Sequence, residues 1–238
     1  MERTIQARGT LEGAYSVIME LVPRLDALRT DVTLKGDDTP VTKADLLMQQ
    51  ALAEYLDAQF EDLTFVGEEG SWDAEADPVG WTAVVDPIDG TENFSSSLPE
   101  WGVSVSIFYD ADHVASMIAL PDLGQRLITG DRVTYAQSRI TAFSSGISEG
   151  LVRRIAATPQ SRLIGAAVYN LFGVATGRFT RFINPVGAYS WDLLAGLALA
   201  LEHNCEVLVD DEPYDGSYLK PGRKYRVDVQ HRHDRHPR

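Results

Sequence analysis

The sequence holds a single cysteine, Cys205, among 238 residues. An intrachain disulfide is therefore excluded, and so is a zinc site built from several thiolates. Basic residues are also scarce. Lysine and arginine total 21 against 35 aspartates and glutamates, a net charge of −14. A chain this acidic is repelled by a phosphate backbone or an anionic bilayer, so neither nucleic acid nor membrane is expected as a partner. Long apolar runs are missing as well: the greasiest stretch, residues 193–201, is too short to span a bilayer. Met1-Glu2-Arg3-Thr4 carries no apolar run of the signal-peptide kind. With the lone cysteine, this leads to the expectation of a soluble, cytoplasmic protein. No internal repeat is visible.

What is present is the balance of a folded chain, 44% hydrophobic and 24% charged. Surplus acid mostly serves solubility, but it also suits a cation site, and the placement of the carboxylates decides between the two. Leu11, Tyr15, Ile18, Leu21, Val22 and Leu25 recur at helical spacing, with Pro23 expected to kink or end that helix. A Gly-Asp-Asp-Thr-Pro turn at 36–40 precedes Thr42-Lys43-Ala44-Asp45, which reads as a capping box. The helix it opens is expected to bury Leu46, Leu47, Leu52, Tyr55, Leu56 and Phe60. Strands are predicted at 64–66, 81–85, 103–109, 114–120 and 125–129, the second stopping at Pro87. An acidic loop is expected through Asp77-Pro78. Short strands and one amphipathic helix are expected within 131–160. A helix over 166–176, a strand over 179–183 and a loop over 184–190 follow. A helix over 191–203, buried on most sides, leads to a final strand over 205–209. The polar end, with His231, His233 and His236, reads as a solvated tail rather than a metal site. Helices and strands interleave without a steady βαβ rhythm, which predicts a layered α+β fold rather than a doubly wound sheet. One domain is expected over 1–227, with 228–238 disordered.

The chemistry concentrates in Asp86-Pro87-Ile88-Asp89-Gly90-Thr91, after a strongly apolar strand. Two carboxylates three residues apart around a tight turn converge on one point. Gly90 tolerates a backbone conformation that other residues resist. A short helix starting at Thr91 aims free N–H groups at an anion. One six-residue turn thus offers cation ligands beside a phosphate cradle. Glu68-Glu69 also follows a strand and a glycine, and Asp192 sits in the first turn of a very apolar helix. Each has a plainer reading: an acidic Pro-Gly turn, a solvated loop, and an aspartate favoured by the helix dipole.

Taken together, Gly67-Glu68-Glu69, Asp86-Pro87-Ile88-Asp89-Gly90-Thr91-Glu92-Asn93-Phe94 and Trp191-Asp192-Leu193-Leu194-Ala195-Gly196 resemble the three motifs of the inositol monophosphatases, in the family's order. Val41-Thr42-Lys43-Ala44-Asp45 is similar to the family's upstream motif, and residues 165–178 are similar to its Gly-x-Ala…Val-Ala-x-Gly-Arg helix. The resemblance implies an α/β/α/β/α layered sandwich of the inositol monophosphatase and fructose-1,6-bisphosphatase type. Its first lobe, about 1–125, would carry metal and phosphate, and its second, about 126–227, the substrate. It implies a lithium-sensitive phosphomonoesterase, a homodimer, acting on a small phosphorylated metabolite with two or three Mg²⁺ ions, or Mn²⁺. By position, Glu68, Asp86 and the Ile88 carbonyl would hold one ion, and Asp86, Asp89 and Asp192 a second. Thr91, bonded to Asp45, would help Glu68 activate the attacking water, and the N–H groups of Gly90 and Thr91 would hold the phosphate. Ala167, Asn184, Pro185 and Tyr189 fall where the family contacts substrate. Oxygen-only ligands favour Mg²⁺ or Mn²⁺ over zinc. Two carboxylates ~4 Å apart repel by roughly 4 kcal/mol at an effective dielectric of 20, so several converging ones need cations.

The chain departs from the family pattern in places. Thr129-Gly130-Asp131-Arg132-Val133-Thr134-Tyr135 replaces a glycine-rich hairpin, and Asn170 stands where aspartate is usual. Pro185 takes the place of the glutamate by which inositol-selective members read a sugar hydroxyl, and the interval from Asp89 to Asp192 is short. A sugar, cyclitol or nucleoside ester other than inositol phosphate is therefore expected. The alternatives that stay open are an inositol-1-phosphate phosphatase proper, a 3′-phosphoadenosine 5′-phosphate phosphatase, a fructose-1,6-bisphosphatase, and a non-catalytic relative that binds a phosphorylated metabolite.

Overall fold

The computed structural model describes residues 1–34, 40–70 and 78–232. The expected turn at 36–39, most of the acidic loop before Pro78, and His233 and His236 lie outside these residues. The chain opens with helix α1 (Glu2–Asp26), strands β1 (Val32–Leu34) and β2 (Pro40–Thr42), and helix α2 (Lys43–Asp57). Next come β3 (Thr64–Gly67), β4 (Trp81–Asp89), the short helix α3 (Thr91–Ser95), β5 (Gly102–Tyr109), β6 (Asp112–Leu120) and β7 (Gln125–Ile128). The second half holds β8 (Thr141–Phe143), α4 (Glu149–Ala156), β9 (Ser161–Leu163), α5 (Ala167–Ala175), β10 (Arg181–Ala188) and α6 (Ser190–Glu202). It ends with β11 (Cys205–Val209), β12 (Glu212–Pro213) and β13 (Tyr225–His231).

Two sheets organise these elements. The first runs β3-β4-β5-β6-β7, parallel between β3 and β4 and antiparallel elsewhere. The second runs β12-β11-β13-β10-β8-β9. Helices α1 and α2 cover one face of the first sheet. Ala7, Leu11, Ala14 and Ile18 of α1 and Ala44, Met48, Leu52 and Leu56 of α2 are buried there with Val85, Val103 and Val105. Helices α5 and α6 lie between the sheets in a second core, where Leu193, Leu197 and Leu199 are inaccessible to solvent. Helix α4 closes the outer face of the second sheet through Leu151, Phe143 and Ile183. The order is α/β/α/β/α, the layered fold the motifs imply. Among the described residues, no helix is long and apolar enough to cross a membrane.

Several local expectations are corrected. α1 runs through Pro23 to Asp26, because the proline costs one hydrogen bond while Leu21 and Leu25 on either side are buried. Leu46 is 52% exposed, since the buried stripe of α2 is Ala44, Met48, Leu52 and Leu56. β4 does not stop at Pro87. A register shift between Asp86 (opposite Ser104) and Asp89 (opposite Gly102) inserts one extra residue, and this bulge absorbs the missing N–H. β10 likewise extends through the expected loop, bulging between Asn184 and Ala188. Strand β11 is not the last, and the tail does not begin at 228. Tyr225, Val227, Val229 and His231 alternate inward, and β13 pairs with both β10 and β11.

Candidate active site

The bulge at the end of β4 aims two carboxylates at the N-terminus of α6. Asp86 is almost fully buried. Its Oδ1 accepts the Ile88 N–H at 3.1 Å, while its Oδ2 is buried with no N–H or hydroxyl donor among the described residues. One Asp89 oxygen accepts the Val168 N–H at 2.6 Å, at the start of α5. Asp192 is the third residue of α6 and accepts the Tyr189 N–H at 2.7 Å, satisfying a backbone donor at the start of that helix. Asp86, Asp89 and Asp192 each offer an oxygen within 4.8 Å of the other two.

Burial, then the charges of Glu68, Asp192 and Asp89, push the Asp86 carboxyl well above the ordinary carboxylate range. Asp89 is also pushed up, first by burial and then by Asp192, while the N–H groups of Val168 and Ala167 pull it back. Glu68 lies outside the three-residue group but near enough to act on Asp86. Its own N–H continues the β3–β4 ladder to Val85 O at 3.3 Å. An all-oxygen donor set, strained by mutual repulsion and retaining one unsatisfied buried oxygen, fits a hard divalent cation. The chain therefore presents an acidic cluster that could hold a metal ion.

Beside it sits the turn into α3. Gly90 holds φ +86°, and a Cβ there would meet Ala166 Cβ at 2.8 Å, so the α5 side of the site crowds against this turn. The Thr91 hydroxyl lies 3.2 Å from Asp45 Oδ1 and 3.1 Å from Ile88 O, so the carbonyl expected to face a metal also faces Thr91. Asp45 is fully buried and serves two helices. Its Oδ2 accepts the Thr42 N–H at 2.8 Å in the capping box of α2, while Oδ1 faces Thr91. Burial raises the Asp45 carboxyl, the Thr42 hydrogen bonds lower it, and the charge of Glu69 raises it. Arg29 clamps α3 from behind, donating to Phe94 O at 3.0 Å and pairing with Asp122, which also accepts the Trp101 indole N–H.

A cavity of about 280 Å³ opens next to Asp89 and Asp192. Ala167 and Asn184 line it as expected; Pro185 and Tyr189 do not. Pro185 instead borders a depression of about 80 Å³ with Arg154 and Asp228. Tyr189 stacks on Trp191 with ring centroids 4.8 Å apart. The Asn184 side-chain oxygen accepts Val186 N–H at 3.3 Å and Gly187 N–H at 3.0 Å, so it holds the bulge together. Asn170 lines the cavity too, and its amide donates to Ile164 O at 3.0 Å. Lys224 and Ser144 also line it, and the sequence analysis missed both. Neither sits in a motif. Lys224 arrives because β13 pairs back onto β10, a long-range event without a local signature.

A layered α/β/α/β/α sandwich with a carboxylate cluster at a strand end, beside a helix N-terminus, defines a metal-dependent phosphatase class. The sequence profile described as the inositol monophosphatase family matches residues 1–140. The chain belongs to that family of phosphoric monoester hydrolases. It is 28% identical over 236 residues to the Nus factor SuhB of Pasteurella multocida, covering 88% of this chain and 85% of the relative. It is also 28% identical over 195 residues to the inositol-1-monophosphatase of Mesorhizobium japonicum, covering 72% of each. Among solved structures, an IMPase/NADP phosphatase complexed with Mg²⁺ and phosphate superposes with a TM-score of 0.79 at 20% identity, covering 96% of this chain and 92% of the other.

Proposed function

We propose that this chain hydrolyses a small phosphorylated sugar, cyclitol or nucleoside, using Mg²⁺ or Mn²⁺, two or three ions per site. The observation that carries the reading is the convergence of Asp86, Asp89 and Asp192 within 4.8 Å, with a buried Asp86 oxygen left over for a cation. In this reading Asp86, Asp89, Asp192, Glu68 and the Ile88 carbonyl are the ligands. When bound, the divalent cation supplies Lewis acidity to the phosphoryl group and to the attacking and leaving oxygens.

The chain's own groups do the rest. The first N–H groups of α3, at Gly90 and Thr91, have no acceptor within the helix and hold phosphate oxygens. Thr91 Oγ1 donates to Asp45 Oδ1, which turns its lone pairs toward the attacking water, and Glu68 takes that water's proton. The new O–P bond forms in line as the P–O bond to the leaving oxygen breaks, and the proton taken from the water passes through solvent to that oxygen, giving the alcohol and inorganic phosphate. Neutralising charge at the phosphoryl group through fixed donors is the larger contribution, since such groups need no reorganisation during the reaction.

The substrate reading rests on the 184–190 segment. Pro185 has no side-chain acceptor, and both lone pairs of the Asn184 carbonyl oxygen are engaged by Val186 and Gly187. No carboxylate from this segment reads a sugar hydroxyl, so inositol phosphate is not the dedicated substrate. Relatives of equal identity bear different names, which leaves the alcohol to these local contacts. A cytoplasmic homodimer is part of the proposal on family grounds alone, checked by light scattering and fractionation.

The experiment is phosphate release from a panel of sugar, cyclitol and nucleoside monophosphates, with Mg²⁺ and with chelator. Mg²⁺-dependent turnover is expected, inhibited by Li⁺. Full turnover in chelator would sink the metal reading. A preference for myo-inositol 1-phosphate above about 100-fold over all others would sink the substrate reading, because a lost charged hydrogen bond of about 1.5–3 kcal/mol costs roughly 10–150-fold.

A further inference from the structure

The cavity beside the acidic cluster is lined by charges of both signs. Asp89 and Asp192 supply the negative charge, and Lys224 is the only cation among the described residues that line it. In a chain of net charge −14, a lysine at that place is out of keeping with its surroundings. Lys224 has no described carboxylate within ion-pair distance. Its ammonium instead lies 5.1 Å from the Tyr189 ring centroid, a cation–π contact. Tyr189 in turn stacks on Trp191 and donates its N–H to Asp192, so the ring that steadies the ammonium belongs to the turn that holds a cluster carboxylate. The backbone beneath is equally fixed. Ala188 pairs with Tyr225, and Gly187, at φ +84°, passes so close that a Cβ there would meet Lys224 Cβ at 3.0 Å. Two further polar atoms on the wall, Ser144 Oγ and Asn170 Oδ1, have no hydrogen-bond partner among the described residues.

We propose that Lys224 is a specificity-determining residue that reads a second anionic group, a phosphate or a carboxylate, on the alcohol part of the substrate. The inference rests on the phosphatase reading above. At about 280 Å³ the cavity lies just below the usual range for small-molecule sites, which favours a compound of sugar-phosphate size over a dinucleotide. The phosphate to be cleaved sits beside the carboxylate cluster, at Gly90 and Thr91. The remainder of the substrate then extends along the cavity, and its second negative charge meets Lys224. A hydrogen bond between the Lys224 ammonium and that anion is worth about ten-fold in kcat/KM, expressed in KM.

The test compares matched substrates that differ by one anionic group: glycerol 2-phosphate with 2-phosphoglycerate, and fructose 1-phosphate with fructose 1,6-bisphosphate. The first pair adds a carboxylate and the second a phosphate, so the two arms separate the two anions. The wild-type protein with Mg²⁺ is expected to favour the doubly anionic member of at least one pair by about ten-fold. Lys224→Met is expected to erase that preference, and Lys224→Arg to keep most of it. Calorimetric binding of glycerate against glycerol, neither of which carries a cleavable phosphate, gives a readout independent of turnover, with Lys224→Met losing the difference. An equal loss on both members of each pair would overturn the inference, since Lys224 would then be touching the phosphate that is cleaved. No charge preference in the wild type, on either pair, would overturn it too and leave the phosphatase reading standing. No turnover on any monoester would sink both.

Discussion

Thr91 Oγ1 lies 3.2 Å from Asp45 Oδ1, while the other oxygen of the same carboxylate caps helix α2. One buried group thus ties the first turn of α2 to the first turn of α3. The capping reading of Asp45 is borne out on one oxygen, and the other oxygen faces Thr91, the geometry that the proposed role requires. The Thr91 hydroxyl has a single proton and two acceptors in range, Asp45 and Ile88 O at 3.1 Å. Whichever takes it, a lone pair stays available for water.

From this geometry Thr91→Ala is predicted to lower kcat by roughly 10²–10⁴, the span of general-base assistance. Apparent Mg²⁺ affinity should change little, and Thr91→Ser should recover much of the rate. Recovery of Thr91→Ala by raised Mg²⁺ would mean instead that Thr91 is a metal ligand.

Asp89→Asn and Asp192→Asn are predicted to abolish turnover while leaving the metal-free fold no less stable. Each keeps an oxygen for the N–H of Val168 or Tyr189, and each relieves repulsion in a cluster whose carboxyls are already pushed up by burial and by one another. Thermal unfolding should show a Mg²⁺-induced rise in Tm for the wild type and a much smaller one for either variant. More than about a tenth of wild-type activity in either variant contradicts the ligand assignment, because such electrostatic losses typically cost 10² or more.

Gly90→Ala tests the cradle. A residue with a Cβ at φ +86° costs roughly 1–2 kcal/mol in backbone strain, and the Cβ would sit 2.8 Å from Ala166 Cβ. The expected result is a Tm lower by several degrees and a kcat loss larger than the fraction unfolded explains. A variant with the wild-type rate would show that the first turn of α3 does not hold the phosphate.

His113 supplies a pH prediction away from the site. Burial lowers its pKa from 6.5 to about 4, and its Nε2 lies 2.7 Å from Ser116 Oγ. The folded state disfavours the charged ring, so between pH 6.5 and 4 the unfolded chain binds more protons. Stability from this group is therefore present above 6.5 and lost as pH falls toward 4. In urea unfolding, His113→Gln should show a shallower loss over that window than the wild type. Parallel curves for the two proteins would refute the assignment.

Much of this molecule is local. The apolar stripe of α1, the capping box at Thr42, the strands around residues 64–128 and the apolar helix after Trp191 are written in periodicity and caps, which depend on near neighbours. The carboxylates Asp86, Asp89 and Asp192, with Gly90 and Thr91, stand out because turn chemistry and residue type coincide in one short segment. Two failures of local reading were bulges. Proline at 87 and the Asn184-Pro185 pair look like strand ends, yet the partner strands carry the ladder past them. The strand over 225–231 alternates visibly and was missed because it follows a long irregular stretch.

The sequence by itself determined the family, the layered class and which carboxylates stand out as candidate metal ligands, since each rests on residue type at short spacing. Only the tertiary structure decided that Asp192 comes to Asp86, that the Asn184 oxygen is spent on its own bulge, that Pro185 faces away from the cavity, and that Lys224 faces into it. The physical reason is that these relations are set by the pairing of β13 with β10 and by the burial of α6 between two sheets. The approach of Asp192 to Asp86 spans more than a hundred residues of chain and the pairing of β13 with β10 roughly forty, so no spacing within one segment encodes them.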